Sequence, residues 1–197
     1  MLDLSESNGK KIDLVIATKF PSYFVSHTRK ILWLTHQYRQ VYDLFGTQFS
    51  GFDPKNRKDM ELRNQLIEMD TAVLKTYPKI FTISKNTGFR LKKFNQIEST
   101  TLYHPPKLAG RYYNEDYEDY VLSVGRIDAL KRVDLLVESL KYCHKNIRCK
   151  IAGTGPDLAK LRALAAKSGV SDRVEFLGSV SEEDLLRLYA NCSLVFF

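Results

Sequence analysis

From residue 120 the chain reads Tyr120-Val-Leu-Ser-Val-Gly-Arg-Ile-Asp-Ala-Leu-Lys-Arg-Val-Asp-Leu-Leu-Val-Glu-Ser-Leu140. Val121 to Val124 is a short apolar run, the pattern of a buried strand. A glycine follows it directly. From Asp134 to Cys143 the spacing predicts a helix with Leu135, Leu136, Ser139 and Leu140 on one face. The alternation then repeats. Cys149 to Ala152 reads as a strand followed by Gly153-Thr-Gly-Pro156. Leu158 to Ser168 reads as a helix with Leu158, Leu161, Leu164 and Ala165 facing inward, and Gly169 is placed to end it. Val174 to Leu177 is another strand. Ser181-Glu-Glu-Asp184 has the capping-box pattern that opens a helix to about Ala190. Ser193 to Phe197 is a last strand. Strands alternating with helices over short connections predict an α/β fold, a parallel sheet covered by helices.

Upstream the pattern is similar but looser. Residues 1–11 are polar and are expected to be loose. Asp13 to Thr18 is an apolar run ending at Phe20-Pro21-Ser22, and Ile31 to Thr35 is a second run that ends at His36. Gly46, Gly51, Pro54 and Asn56 mark residues 46–58 as a loop. Between Asp59 and Tyr77, the residues Leu62, Leu66, Met69, Val73 and Tyr77 fall at helical spacing, and Pro78 stops the helix. Lys79 to Ile83 is a third strand, after which Ser84 can cap a helix. Thr100 to Tyr103 is a fourth strand, closed by Pro105-Pro106. Residues 107–119 carry Gly110, paired tyrosines and four acidic residues, the composition of a linker. The expected division is a first domain over 1–106, a linker over 107–119 and a second domain over 120–197.

Composition narrows the partners. The 197 residues are 44% hydrophobic and 27% charged, with a formal net charge of +7, which is an ordinary globular balance with a basic excess. A basic surface favours anionic partners. The excess is spread along the chain, and zinc-finger spacing, an aromatic RNA signature and a polybasic arm are all missing, so nucleic acid is not among the expected partners. No apolar run reaches the roughly 18–20 residues of a membrane span, and the first residues do not form a secretory signal. Cys143, Cys149 and Cys192 show no CxxC spacing. They read as buried small apolar residues in a reducing cytosol, and Cys143 beside His144 lacks the ligand spacing of a metal site.

Few residues invite chemistry. Gly125-Arg126 leaves a strand directly, and Lys131 stands just before a helix. In an open parallel sheet, ligands bind beyond the carboxyl ends of the strands. Glycine there lets backbone approach an anion, and two cations beside a helix start suit a phosphate or diphosphate. Spacing alone fits two ordinary surface charges equally well. Gly153-Thr-Gly-Pro156 is too short for a dinucleotide fingerprint and lacks the lysine of a P-loop, so it reads as a tight strand-to-helix turn. His36 closes a strand, with Gln37, Arg39, Tyr42 and Asp43 after it, and could face a cleft or serve the structure alone. The carboxylates of Glu115, Asp116, Glu118 and Asp119 could hint at paired-carboxylate hydrolysis, but within a linker they read as solvated charge.

Four stretches carry a family resemblance. Ser123 to Leu140, Lys150-Ile-Ala-Gly-Thr-Gly-Pro156, Val174-Glu-Phe-Leu-Gly-Ser-Val180 and Asp184-Leu-Leu-Arg-Leu-Tyr-Ala190 resemble, in order, the donor half of family 4 (group 1) glycosyltransferases. The runs at Asp13–Thr18, Ile31–His36 and Ile80–Ser84 are similar to the later part of that family's N-terminal domain. The resemblance implies a GT-B fold of two Rossmann-like parallel-sheet domains. It also implies transfer of a sugar from a nucleotide-sugar with retention of configuration, without a required metal or other cofactor. On this chain it would give Arg126 and Lys131 the donor diphosphate and Gly125 the space beside it. Val180 and Glu182 would lie near the base, and His36 at a hydroxyl of the donor sugar. The family's paired-glutamate motif would fall beyond Phe197 and its glycine-rich first loop before Asp13. The chain therefore reads as the middle of such an enzyme, incomplete in both domains. Arg132 stands where glycine is frequent.

The implied activity is sugar transfer to a glycan or lipid-linked acceptor in bacterial polysaccharide synthesis. The expected place is the cytoplasm, with peripheral contact at the inner face of the membrane. The alternative is an inactive fragment that binds a nucleotide or a partner. A GT-B-like epimerase or phosphorylase shares the fold, and the Gly-Arg…Lys segment favours the transferase.

Overall fold

The polar N-terminus, expected to be loose, is paired. In the computed structural model, which describes residues 1–197, β1 (Leu2–Asp3) runs parallel to β5 (Val25–Ser26). Between them β2 (Glu6–Ser7) and β3 (Lys10–Lys11) form an antiparallel hairpin. Asn8 and Gly9 both have positive φ, 52° and 75°, as the two-residue hairpin turn that matches strand twist requires. The strands are too short and too polar to show alternation, but the Asn-Gly pair was a legible sign.

The first of two units, Met1–Pro105, is built on four parallel strands in sequential order. These are β4 (Val15–Lys19), β6 (Lys30–His36), β7 (Ile80–Thr82) and β8 (Thr100–Thr101). Two crossover helices connect the last three, α1 (Arg57–Leu74) and α2 (Lys85–Asn95). The side chain of Asn56 accepts from the amides of Lys58 and Asp59, so α1 begins inside the stretch expected to be loop. Ser84 caps α2 by accepting from Thr87 N–H.

Of the apolar residues at helical spacing, Val73 packs on the core and Tyr77, just past the end of α1, is buried, but two others stay out. Leu62 and Met69 are 49% and 55% exposed, whereas Asp70 and Leu74 are buried. The cause is polar. Oδ2 of Asp70 accepts from the hydroxyls of Tyr23 at 2.9 Å and Tyr42 at 2.8 Å. Asn95 donates to the Tyr42 oxygen and to Thr71, and Gln37 donates to Asn95. The helix thus presents a carboxylate as well as Leu74 to the buried side. Around this network Ala17, Leu32, Leu34, Leu74 and Leu91 close the core.

The second unit, Pro106–Phe197, holds β9 (Glu118–Val124), α3 (Val133–Ser139), β10 (Arg148–Ala152), α4 (Leu158–Lys167), β11 (Val174–Gly178), α5 (Glu182–Asn191) and β12 (Cys192–Phe196). All four strands are parallel, in the order β11-β10-β9-β12. This is a doubly wound Rossmann-like order, in which the chain reverses direction between β9 and β12. On one face Val133, Leu136, Val137 and Leu140 of the α3 region pack with Leu161 and Ala165 of α4 over Cys149 and Ile151. Leu135, expected inward, is 46% exposed. The helix starts one residue before Asp134, and Val133 takes the inner position. On the other face Tyr120, Leu122 and Cys192 meet Leu188 and Tyr189 of α5. Ser181 caps α5 through Asp184 N–H, and Gly169, at φ 66°, follows α4.

The stretch read as a linker lies within this unit. Glu115 N–H donates to the Ala190 carbonyl, Asn191 donates to the Glu115 carboxylate, and Leu108 is buried. Cys149 and Cys192 are buried, but Cys143, expected among the buried residues, is exposed at the turn after Leu140. Burial pushes the Cys149 thiol up to about 12. No helix is long and apolar enough to cross a membrane.

Burial also pushes the Asp70 carboxyl above the ordinary range, against the lowering effect of its tyrosine partners, and its Oδ1 has no partner in the chain. A carboxyl whose pKa is higher folded than unfolded makes the native state bind more protons. Unfolding free energy should therefore decrease as pH rises from near the unfolded value of about 3.9 up to the raised folded value. Asp70→Asn should flatten that slope in urea titrations run from pH 3.5 upward. Asp70→Ala, which leaves two buried hydroxyl donors without an acceptor, should cost about 2–4 kcal/mol at neutral pH. An unchanged slope in Asp70→Asn would count against the assignment.

Candidate functional site

The turns leaving β9, β10 and β11 are joined to one another through backbone alone. Gly125 N–H donates to the Ala152 carbonyl at 3.0 Å, Ile127 N–H to Thr154 at 2.9 Å, and Gly153 N–H to Gly178 at 2.7 Å. Gly125 and Gly153 both sit at φ 147°, a region that side chains disfavour. A Cβ on Gly153 would overlap the Gly125 carbonyl, and one on Gly155 would overlap the Ile127 carbonyl. The Gly153-Thr-Gly-Pro156 turn is therefore the buttress on which residues 125–127 rest. Sequence reading identified the turn but not what it supports, because the close approach is between segments far apart in the chain.

Residues 125–131 form a crevice at the carboxyl ends of the strands. Gly125, Arg126 and Lys131 line it together with Ser123, Ile151 and Phe196. It lies between the ends of β9 and β12, where the winding reverses, which is where open α/β sheets bind ligands. Arg126 is 72% exposed, and its Nε is 3.5 Å from Asp128 Oδ2. Asp128 in turn accepts from Leu130 N–H and its carbonyl from Lys131 N–H, which shapes the turn carrying the lysine. Lys131 is in no ion pair. Arg132 holds a left-handed φ of 51° as the chain enters α3, and its guanidinium is turned onto Asp134 at 3.0–3.3 Å. Hydrogen bonding to Asp134 raises its pKa further.

The other residues named from sequence lie elsewhere. Val180 is half-buried in the turn before α5 and lines a separate hollow with Tyr120, Leu177 and Leu188. Glu182 pairs with Lys107 at 2.6 Å and Arg111 at 3.1 Å. The hydrogen bond from Lys107 leads in holding its carboxyl below the ordinary range. His36 is in the first unit, at the end of β6, half-buried, with Nδ1 2.8 Å from the Gln37 carbonyl. Phe196 was not anticipated as a crevice wall, since only the strand order places it beside Gly125.

The second unit thus carries a strand-glycine turn with two exposed cations at the winding reversal of a Rossmann-like sheet. Residues 111–197 match the family model described as glycosyl transferases group 1. Among curated relatives, the D-inositol 3-phosphate glycosyltransferase of Mycobacterium sp. (strain KMS) is 41% identical over 83 residues, covering 40% of this chain and 19% of the relative. The chain thus spans under a fifth of that relative's length. Among solved structures, sucrose-phosphate synthase from Thermosynechococcus elongatus superposes with a TM-score of 0.70 at 17% identity, over 92% of this chain and 49% of that one. Anabaena HepE in complex with UDP-glucose gives 0.58 at 14% identity, over 84% and 46%. These likenesses establish the GT-B type of fold, two Rossmann-like parallel-sheet units. The group 1 glycosyltransferase pattern lies on the segment that contains the crevice.

The buttress can be tested by stability. Gly110, at φ 80°, also has a positive φ but open space around a Cβ. Gly110→Ala should therefore cost only the conformational term, about 1–2 kcal/mol. Gly153→Ala adds overpacking against backbone and should cost at least about 2 kcal/mol more. Denaturant midpoints of the two variants measure the difference.

Proposed function

We propose that this chain carries the donor-binding part of a retaining glycosyltransferase that moves a sugar from a nucleotide-sugar to a glycan or lipid-linked acceptor in bacterial polysaccharide synthesis. The observation that carries the reading is the crevice of Gly125, Arg126 and Lys131 at the β9–β12 reversal, inside the segment with the group 1 pattern.

On this reading, Arg126 and Lys131 hold the donor diphosphate. As the glycosidic bond to phosphate breaks, negative charge builds on the departing nucleoside diphosphate. Cations already fixed beside it stabilise that charge without reorganising, which can be worth a few kcal/mol per contact, on the order of 2–4. The two side chains supply the positive charge, so no metal or other cofactor is invoked. Gly125, without a side chain, leaves the phosphate access to the backbone. Val180 and Glu182 are assigned to the base side of the donor, and His36 to a hydroxyl of the donor sugar. On this reading residues 1–106 are an acceptor-side domain and 120–197 a donor domain, and the connection 107–119 docks on the donor side through Glu115 and Ala190. The reaction is placed in the cytoplasm, with peripheral contact at the inner membrane face, where a lipid-linked acceptor would be presented.

UDP is a suitable probe, since UDP-glucose is the ligand in the Anabaena HepE complex. Calorimetric titration of the chain should show saturable binding that weakens with added salt, because exposed charges are screened. Arg126→Ala combined with Lys131→Ala should weaken it by at least about a hundredfold, the loss of two charge-assisted contacts at about 1.5–3 kcal/mol each. Equal affinity in the wild type and the double variant would remove the site assignment.

A further inference from the structure

We propose that Asp128 is a positioning residue of the crevice with two separate roles. It is a standing counter-ion that Arg126 gives up when a diphosphate enters, and it is the cap of the turn that carries Lys131. The inference rests on the assignment of Arg126 and Lys131 to the donor diphosphate.

The two cations are linked through this one residue. Asp128 has extended backbone, with φ −139° and ψ 165°, and side chains two apart along extended backbone lie on the same side. Between Arg126 and Asp128, Ile127 is buried and its N–H is bonded to the Thr154 carbonyl. The two charged residues therefore flank a fixed one, with Arg126 Nε 3.5 Å from Asp128 Oδ2. Toward the other cation, Asp128 Oδ1 accepts from Leu130 N–H at 3.1 Å, the local turn that an aspartate favours. The Asp128 carbonyl accepts from Lys131 N–H at 3.0 Å. One carboxylate oxygen thus serves the turn, and the other faces the arginine.

The partners in the ion pair are unequal. The Asp128 side chain is 24% exposed and tied to the turn, whereas that of Arg126 is 72% exposed. Their contact lacks the paired short hydrogen bonds of a fork-to-carboxylate arginine pair, and loose exposed pairs contribute little. The neighbouring Arg132 is the contrast. Its Nε and Nη2 both bond Asp134, and it does not line the crevice. An entering phosphate can therefore take the Arg126 guanidinium from Asp128. The carboxylate cannot follow, because its other oxygen is held by Leu130 N–H. It stays beside the bound diphosphate as a like charge, and it sets the grip below what the two cations alone would give. A moderated grip favours departure of the nucleoside diphosphate, a step that limits turnover in many enzymes.

UDP titrated calorimetrically into the full chain is the probe, with Asp128→Asn and Asp128→Ala as the variants. Asparagine keeps an oxygen for Leu130 N–H and removes the charge, while alanine removes both. At low ionic strength Asp128→Asn should bind UDP about threefold to tenfold more tightly than the wild type. The gain should shrink as salt is added, because exposed charges are screened. Asp128→Ala should bind about fivefold more weakly than Asp128→Asn, as loss of a cap implies. In an Arg126→Ala background the gain from Asp128→Asn should be smaller, since the two residues are coupled. A purely structural aspartate would weaken binding in both variants and would not respond to salt. Asp128→Asn retains the cap, so it tests the counter-ion even where Asp128→Ala disturbs the turn. Unchanged or weaker binding in Asp128→Asn, or a gain that ignores salt, would overturn the proposal and leave the crevice assignment standing. UDP that fails to bind the wild type, or that binds the Arg126→Ala, Lys131→Ala variant equally well, would remove the crevice assignment and this proposal with it.

Discussion

The second unit depends on a contact between two pieces of bare backbone. Gly153 and Gly155 let the turn after β10 press against residues 125–127 so closely that neither position tolerates a Cβ. The hydrogen bonds Gly125–Ala152, Ile127–Thr154 and Gly153–Gly178 extend the sheet ladder past the strand ends. Backbone held on both sides in this way has little freedom. The direction in which Arg126 leaves the sheet is therefore set by neighbouring turns, while its largely exposed side chain touches only Asp128, at 3.5 Å. Rigid main chain carrying exposed cations is suited to receiving an anion, because the ordering cost of the loop is met when the protein folds.

The parts of the fold that were legible in the sequence are those written by local rules. The alternation of strands and helices after Tyr120, the serine caps at Ser84 and Ser181, and the glycine after α4 depend on neighbours within a few residues, and each element stands where spacing placed it, to within its ends. Strand order was not written locally, so Phe196 could not be matched to Gly125. The inner side of α1 is less legible for a different reason. Helical spacing of apolar residues does not point to Asp70, which is buried because two tyrosine hydroxyls require an acceptor. In α3 the inner face is Val133, Leu136, Val137 and Leu140, about one residue round the helix from a face holding Leu135 and Ser139. In the N-terminal hairpin the strands are polar and only two residues long, so the Asn8-Gly9 pair is its one local sign.

The candidate site was legible in part. Gly125, Arg126 and Lys131 lie in one crevice, as a strand-end glycine followed by cations implied. Val180 and Glu182 line no part of it, and Glu182 is engaged with Lys107 and Arg111. Those two cations come from the stretch that composition marked as a linker. Composition reports solvation but not docking, and the backbone bond from Glu115 to Ala190 is invisible to it.

The reversal of winding also governs the order in which this unit can assemble. β9 and β10 are joined by a short crossover and can pair early, but β12 reaches β9 only after the whole intervening chain, with Cys192 set opposite Glu118 and Phe196 opposite Ser123. Pairings of such long sequence separation are slow to form, since loop closure precedes any gain from contact. The crevice takes one wall from each end of that loop. Until β12 pairs with β9, the crevice therefore lacks one of its walls.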